Sequence, residues 1–177
     1  YYSLKVPYLE GIKKMGITSG RRTLIALTKL LPFPHRVNLL EVGDEIGYAL
    51  RQAARLGYLE GYVGIMPAKL TKLAQGRMQT HVNHGKVDFV FLSKVAESMD
   101  YHRDFSQRIL QAKTVHQVLS WLSYSEQVIL LQELARRAAE FCVKAALYQM
   151  NIKIFVFSIK GDCYLSFSHS PLGTIHG

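Results

Sequence analysis

Apolar positions along this chain change their spacing several times, and each change marks an element. Between Asp44 and Gly57, Ile46, Ala49, Leu50, Ala53 and Ala54 recur at helical intervals. DEIGYALRQAARLG therefore predicts an amphipathic helix with Asp44 at its N-cap and Gly57 at its stop. Tyr58–Ile65 then runs nearly continuously apolar, as a buried strand does. Pro67 can open the next helix, PAKLTKLAQG, because proline is tolerated in a first turn; Gly76 closes it. Helical spacing further predicts Val87–Ser98, Tyr101–Ala112, Val115–Ser123 and a long helix Gln127–Gln149, whose apolar side carries Val128, Leu131, Leu134, Ala135, Ala138, Phe141, Cys142 and Ala145. Ile152–Ile159 is β-branched and aromatic and reads as a strand, with KGDCY and YLSFS completing a hairpin. Upstream, Thr23–Leu31 predicts a partly buried helix ended by Pro32 and Pro34, and Val37, Leu39 and Leu40 a short strand. Lys13–Ile17 is a candidate strand before the turn GITSGRR, the first 15 residues fit a short helix or a strand end, and SPLGTIHG reads as a frayed tail.

Short strands alternating with longer helices predict an α/β, Rossmann-like layered domain with a mainly parallel sheet and a C-terminal helical and strand extension. No repeat or linker divides the chain, so residues 1–177 are expected to form one domain. Ligands of such sheets bind beyond the carboxyl ends of the strands. PAKLTK follows one predicted strand, and GITSGRR follows another if Lys13–Ile17 is extended.

Composition narrows the setting. The 177 residues are 49% hydrophobic, enough for a sizeable core. No stretch reaches the roughly 18 to 20 consecutive apolar residues of a membrane span. The start, YYSLKVPYLEG, lacks the order of a secretory signal. Cys142 and Cys163 have no CxxC spacing and are expected to be free thiols in a reducing, cytoplasmic setting. The chain does not begin with Met and is expected to be a fragment or the rear part of a longer protein. Its formal charge of +9, from 22 Lys and Arg against 13 Asp and Glu, suits a polyanionic partner. Nucleic acid, an anionic membrane surface, a carboxylate-rich small molecule and a merely solvated basic surface all answer to that charge. Its dispersal along the chain argues against a disordered nucleic-acid-binding arm.

Several short constellations carry candidate chemistry. Lys69 and Lys72, three residues apart near a helix start, make an anion cradle or a solvated helix face. Ser19, Gly20, Arg21 and Arg22 offer backbone N–H and guanidinium groups to a carboxylate or phosphate. Thr80-His81 is a hydrogen-bonding pair, and histidine can move a proton near neutral pH. His81 and His84 have HxxH spacing but no nearby Glu or Cys, so no metal site is expected. Gly43-Asp44 places a carboxylate at a strand-to-helix turn, as a ligand contact or a plain cap. The phosphate-loop, GxSxG and GxGxxG patterns are absent.

The order of these motifs, SGRRT, LLPFP, EVGDEIGYALRQAARLG and VGIMPAKLTKLAQGRMQTHVNHGKVD, resembles the C-terminal half of the CbiD family, the cobalt-precorrin-5B C1-methyltransferases of anaerobic cobalamin biosynthesis. The family's TGR-like turn falls on Ser19-Gly20-Arg21, and its VGD-like turn on Val42-Gly43-Asp44. Its strand-loop-helix falls on Val63-Gly64, Lys69-Leu70, Lys72-Leu73-Ala74 and Gly76, followed by Thr80-His81 and Asp88. The likeness extends over AKTVHQVLSWL, ELARRAAEF and IKIFVFS, about Gly16 to Phe167. Two departures stand out. Ala68 replaces a glycine usual in the family, and the family's N-terminal half, with its own Thr-Gly-rich motif, is absent.

The resemblance implies transfer of a methyl group from S-adenosylmethionine to carbon 1 of a cobalt-containing corrinoid, the metal arriving within the substrate. It assigns Arg21, Lys69, Lys72 and Thr80 to the anionic macrocycle. Ser19, Gly20, Gly43, Asp44 and Gly64 fall to the cofactor side, and His81 and Asp88 to the reacting groups. Neither nucleic acid nor membrane is an expected partner; association with a second copy or with the absent N-terminal half is. One rival reading is a basic, non-catalytic module that holds nucleic acid or a partner protein. Aromatic platforms would be needed for it, and Tyr58 and Tyr62 are available but sit in a buried-looking strand. The other is an inactive truncated homologue.

Overall fold

The computed structural model describes residues 2–80 and 86–171. The chain runs α1 (Tyr2–Leu9), β1 (Lys14–Thr18), α2 (Arg21–Leu30), a 3-10 turn (Pro34–Arg36), β2 (Asn38–Glu41), α3 (Ile46–Leu56), β3 (Glu60–Ile65) and α4 (Pro67–Ala74). It continues as α5 (Phe89–Ser98), α6 (Arg103–Ile109), α7 (Val115–Ser120), α8 (Tyr124–Ala145), β4 (Asn151–Phe157) and β5 (Cys163–His169). The strands form a sheet in the order β2-β1-β3-β4-β5. The first four are parallel and β5 returns antiparallel to β4. The expected α/β architecture with a mainly parallel sheet is therefore present, in a doubly wound order with an antiparallel edge.

Strand alternation sorts the side chains onto two unequal layers. Met15, Ile17, Val63, Ile65, Ile154 and Val156 join a large core with Ile46 and Leu50 of α3, Leu70 and Leu73 of α4, and Leu131, Leu134 and Ala138 of α8. On the opposite face α2 supplies Ala26 and Leu27, which with Leu31 pack on Val37, Phe155 and Phe157. Each fully buried Leu, Ile or Phe contributes roughly 1.5–3 kcal/mol of hydrophobic stabilisation.

Element boundaries differ from the sequence reading for local reasons. Asp44 does not cap α3; the N-cap is Glu45, with no side-chain capping bond. Val87–Ser98 starts late because Asp88 is itself the cap of α5. Helix α8 begins at Tyr124, three residues earlier than expected, because Ser123 and Glu126 close a capping box. It stops short of Gln149 because Leu147 and Tyr148 adopt positive φ, 54° and 58°. Tyr101–Ala112 and Val115–Ser123 shrink to α6 and α7. The undecided N-terminus is helical, and Tyr58 precedes its strand, fully buried, its hydroxyl donating to the Leu4 carbonyl at 2.8 Å.

The register levels the carboxyl ends of three strands: Thr18 lies opposite Glu41 on one side and Gly64 on the other. From there β1 leads through α2 to β2, and β3 leads through α4 and the later helices to β4 on the other flank. Neighbouring loops that depart in opposite directions leave a crevice at such a switch point.

Candidate functional site

Three turns converge at this crevice, and one lysine ties two of them. The turn after β1 contains Ser19 and Gly20, the turn after β2 contains Gly43 and Asp44, and α4 follows β3. Lys69, in the first turn of α4, donates to the Ser19 carbonyl at 3.0 Å and pairs with Asp44 Oδ1 at 3.0 Å. The two side chains are 30% and 24% exposed, so the pair is only partly screened by water.

The other half of the arrangement depends on how α4 ends. Gly76 has φ +81°, its N–H donates to Leu73 O, and the Arg77 N–H donates to Lys72 O. This is a glycine-terminated Schellman stop, and a Cβ at Gly76 would lie 2.8 Å from Phe141. The chain therefore reverses, and Met78–Thr80 runs back against the start of α3. Gly47 permits that approach, since a Cβ there would lie 2.5 Å from Met78 Cβ, and its N–H donates to Met78 O at 3.0 Å.

Thr80 is thereby almost fully buried and bonded from three sides. Its Oγ1 donates to Asp44 Oδ1 at 2.7 Å, its N–H donates to Asp44 O at 3.1 Å, and its carbonyl accepts from Lys72 Nζ at 2.8 Å. Lys72 is 7% exposed, and burial lowers its pKa below the ordinary 10.5; the Asp44 charge opposes that shift, while Arg77 and Lys69 add to it. Asp44, Lys69, Lys72 and Thr80 thus form one connected network.

That network forms part of the wall of a cleft of about 880 Å³. Among the described residues, Ala68, Val87, Phe89, Ala112 and Val115 supply apolar lining, and Lys86, Lys113 and Thr114 also line it. Four lysines thus face one aspartate over a partly apolar floor. Ala68 lies within α4, where the backbone is helical and alanine is favoured, so the departure from the family's glycine costs no special conformation there. It places a methyl group on the cleft wall.

The remaining expected residues fall elsewhere. Asp88 is not among the cleft-lining residues. Its Oδ1 accepts from the Val90 and Phe91 N–H groups and its Oδ2 from Gln75 Nε2 at 3.0 Å. The Phe91 bond foremost, against the pull of burial, keeps its pKa below the ordinary carboxylate value. Arg21 opens α2 and is exposed, outside the cleft. Gly64 is buried within the sheet, where a Cβ would press on Thr18 and Phe157, so its smallness serves packing rather than ligand approach. Gly20 and Gly43 border open space, Gly43 with φ +60°. His81, and the HxxH pair with His84, lie outside the described residues. Among the described residues no cluster of three His, Cys, Asp or Glu could hold a metal ion. Lys86, Phe89 and Lys113 were missed from sequence. Lys113 stands within AKTVHQVL, a stretch whose likeness to the family was visible, but nothing local placed it beside Lys69.

Comparison with known proteins agrees with the motif order. Residues 79–165 match the family model of the CbiD C-terminal domain. Relatives named cobalt-precorrin-5B C(1)-methyltransferase match much of the chain. That of Leptospira interrogans is 26% identical over 85% of this chain and 41% of its own length. That of Pyrobaculum aerophilum is 32% identical over 72% and 36%, and that of Picrophilus torridus 30% identical over 90% and 44%. The chain therefore spans less than half the length of these relatives. No solved structure matches it significantly.

Proposed function

Given that this chain is a relative of the CbiD family through that family's C-terminal domain, we propose that it serves as the rear domain of a two-domain C-methyltransferase of cobalamin biosynthesis, its substrate cobalt-precorrin-5B and its cofactor S-adenosylmethionine. The observation that carries this reading is the cleft at the carboxyl ends of the parallel strands, with several lysines around an apolar floor. A corrinoid precursor is a broad, largely apolar ring edged with acetate and propionate groups, so it matches both parts of that lining.

Methyl transfer from a sulfonium to a ring carbon needs no nucleophile from the protein. It needs the two reactants held in line, and a rigid cleft wall favours that alignment. The Asp44–Lys69–Thr80–Lys72 network supplies the rigidity here. S-adenosylmethionine would contribute the activated methyl group. The open turns at Ser19-Gly20 and Gly43 fit a cofactor held through main-chain groups. Asp44 already bonds within the protein and Gly64 is enclosed in the sheet, so these two fit a cofactor role less well. Asp88, bonded as the cap of α5, fits a place among the reacting groups less well.

The test is calorimetric titration of the chain with S-adenosylhomocysteine. One-site saturable binding, weakened when Gly20 is replaced by Val, is the expected result. Flat heats would remove the cofactor from this half of the enzyme.

A further inference from the structure

The four lysines of the cleft are not equivalent. Lys69 already serves two acceptors, Asp44 Oδ1 and the Ser19 carbonyl, and its charge is matched by the aspartate. Lys72 is buried and directed at the Thr80 carbonyl. Both ammonium groups are fixed by the protein itself, and moving either to a ligand would break the contacts that hold three turns together. Lys86 and Lys113 differ. Both are exposed, both line the cleft, and neither has an ion pair among the described residues. Each also adjoins apolar lining, Lys86 beside Val87 and Lys113 beside Ala112. A ring resting on that floor would present its peripheral carboxylates to these two rim cations, whose flexible stems suit carboxylates at variable positions.

We infer that Lys86 and Lys113 are the residues that recognise the substrate's carboxylates, and that Lys69 and Lys72 are positioning residues that shape the cleft. This rests on the macrocycle reading above and divides its labour between two pairs of lysines. Fixed cations inside the wall select shape, whereas rim cations add long-range, salt-sensitive attraction.

The probes are cobyrinic acid, a corrin with free acetate and propionate carboxylates, and its fully esterified methyl ester. Binding to the 177-residue chain is followed by the corrin's visible absorbance. Lys86→Gln with Lys113→Gln should lower affinity for the acid about tenfold, flatten its dependence on salt, and leave the ester unchanged. Lys29→Gln with Lys160→Gln removes the same charge beside α2 and the β4–β5 hairpin, and should leave both affinities as they are. Equal losses in the two double variants would reduce the effect to overall charge and overturn the assignment. Wild-type binding of the acid with no loss in the Lys86/Lys113 variant would overturn it while leaving the macrocycle reading standing. Failure of the wild-type chain to bind either corrin would overturn both.

Discussion

The two ends of the parallel strands treat charge in opposite ways. At the amino end, Lys14 pairs with Glu60 at 2.9 Å and the Tyr62 hydroxyl donates to the same carboxylate at 2.6 Å. Burial pulls the Glu60 pKa upward, but the Tyr62 hydroxyl and the Lys14 ammonium together hold it below its ordinary value. That cluster is neutral and complete. At the carboxyl end a single aspartate stands among four lysines, one of them desolvated. A closed cluster of this kind adds a little stability, its ammonium and carboxylate being matched within the protein. An open one leaves cationic charge uncompensated, which is costly without a partner and useful with an anionic one.

Breaking the open cluster at its centre should have the largest effect. Asp44→Asn removes the charge opposite Lys69 while keeping an acceptor for Thr80, and should lower stability by about 2 kcal/mol. A fall in denaturant midpoint with unchanged slope would register it; an unchanged midpoint would mean that the network does not hold the turns. A smaller effect is expected at Lys72. Its folded pKa lies below that of the unfolded chain, so between the two values the unfolded state binds more protons and stability rises with pH. That alkaline rise, ending near pH 10.5, should be present in the wild type and absent from Lys72→Met in parallel melts across the pH range. The smallest effect belongs to the closed cluster. Glu60→Gln should cost about 0.5 kcal/mol, less in high salt, and leave corrin binding untouched. A change in binding there would erase the contrast between the two ends.

The fold was largely legible because its determinants are local. Apolar spacing places α3, α4 and α8, β-branched content places β4, and Gly57 and Gly76 mark true helix stops. The missed features depend on single side chains choosing between roles. Asp44 looks like a helix cap by position, yet Lys69 and Thr80 draw its carboxylate away, and both partners come from the α4 hairpin far along the chain. Asp88, which the resemblance puts among the reacting groups, is a helix cap. The site was half legible. Lys69, Lys72 and Thr80 belong to one continuous motif, so the sequence itself gathers them. Lys86 and Lys113 come from separate segments that only the packing of α5 and α7 brings to one cleft.

The contact between Lys69 and Ser19 reaches a main-chain oxygen, which every amino acid possesses. Position 19 can therefore drift among residues compatible with its backbone while the tie survives. Position 69 has no such freedom, because a long, charged donor is needed to span the two turns. A family built on this wall would show constancy on one side of the bond and variety on the other.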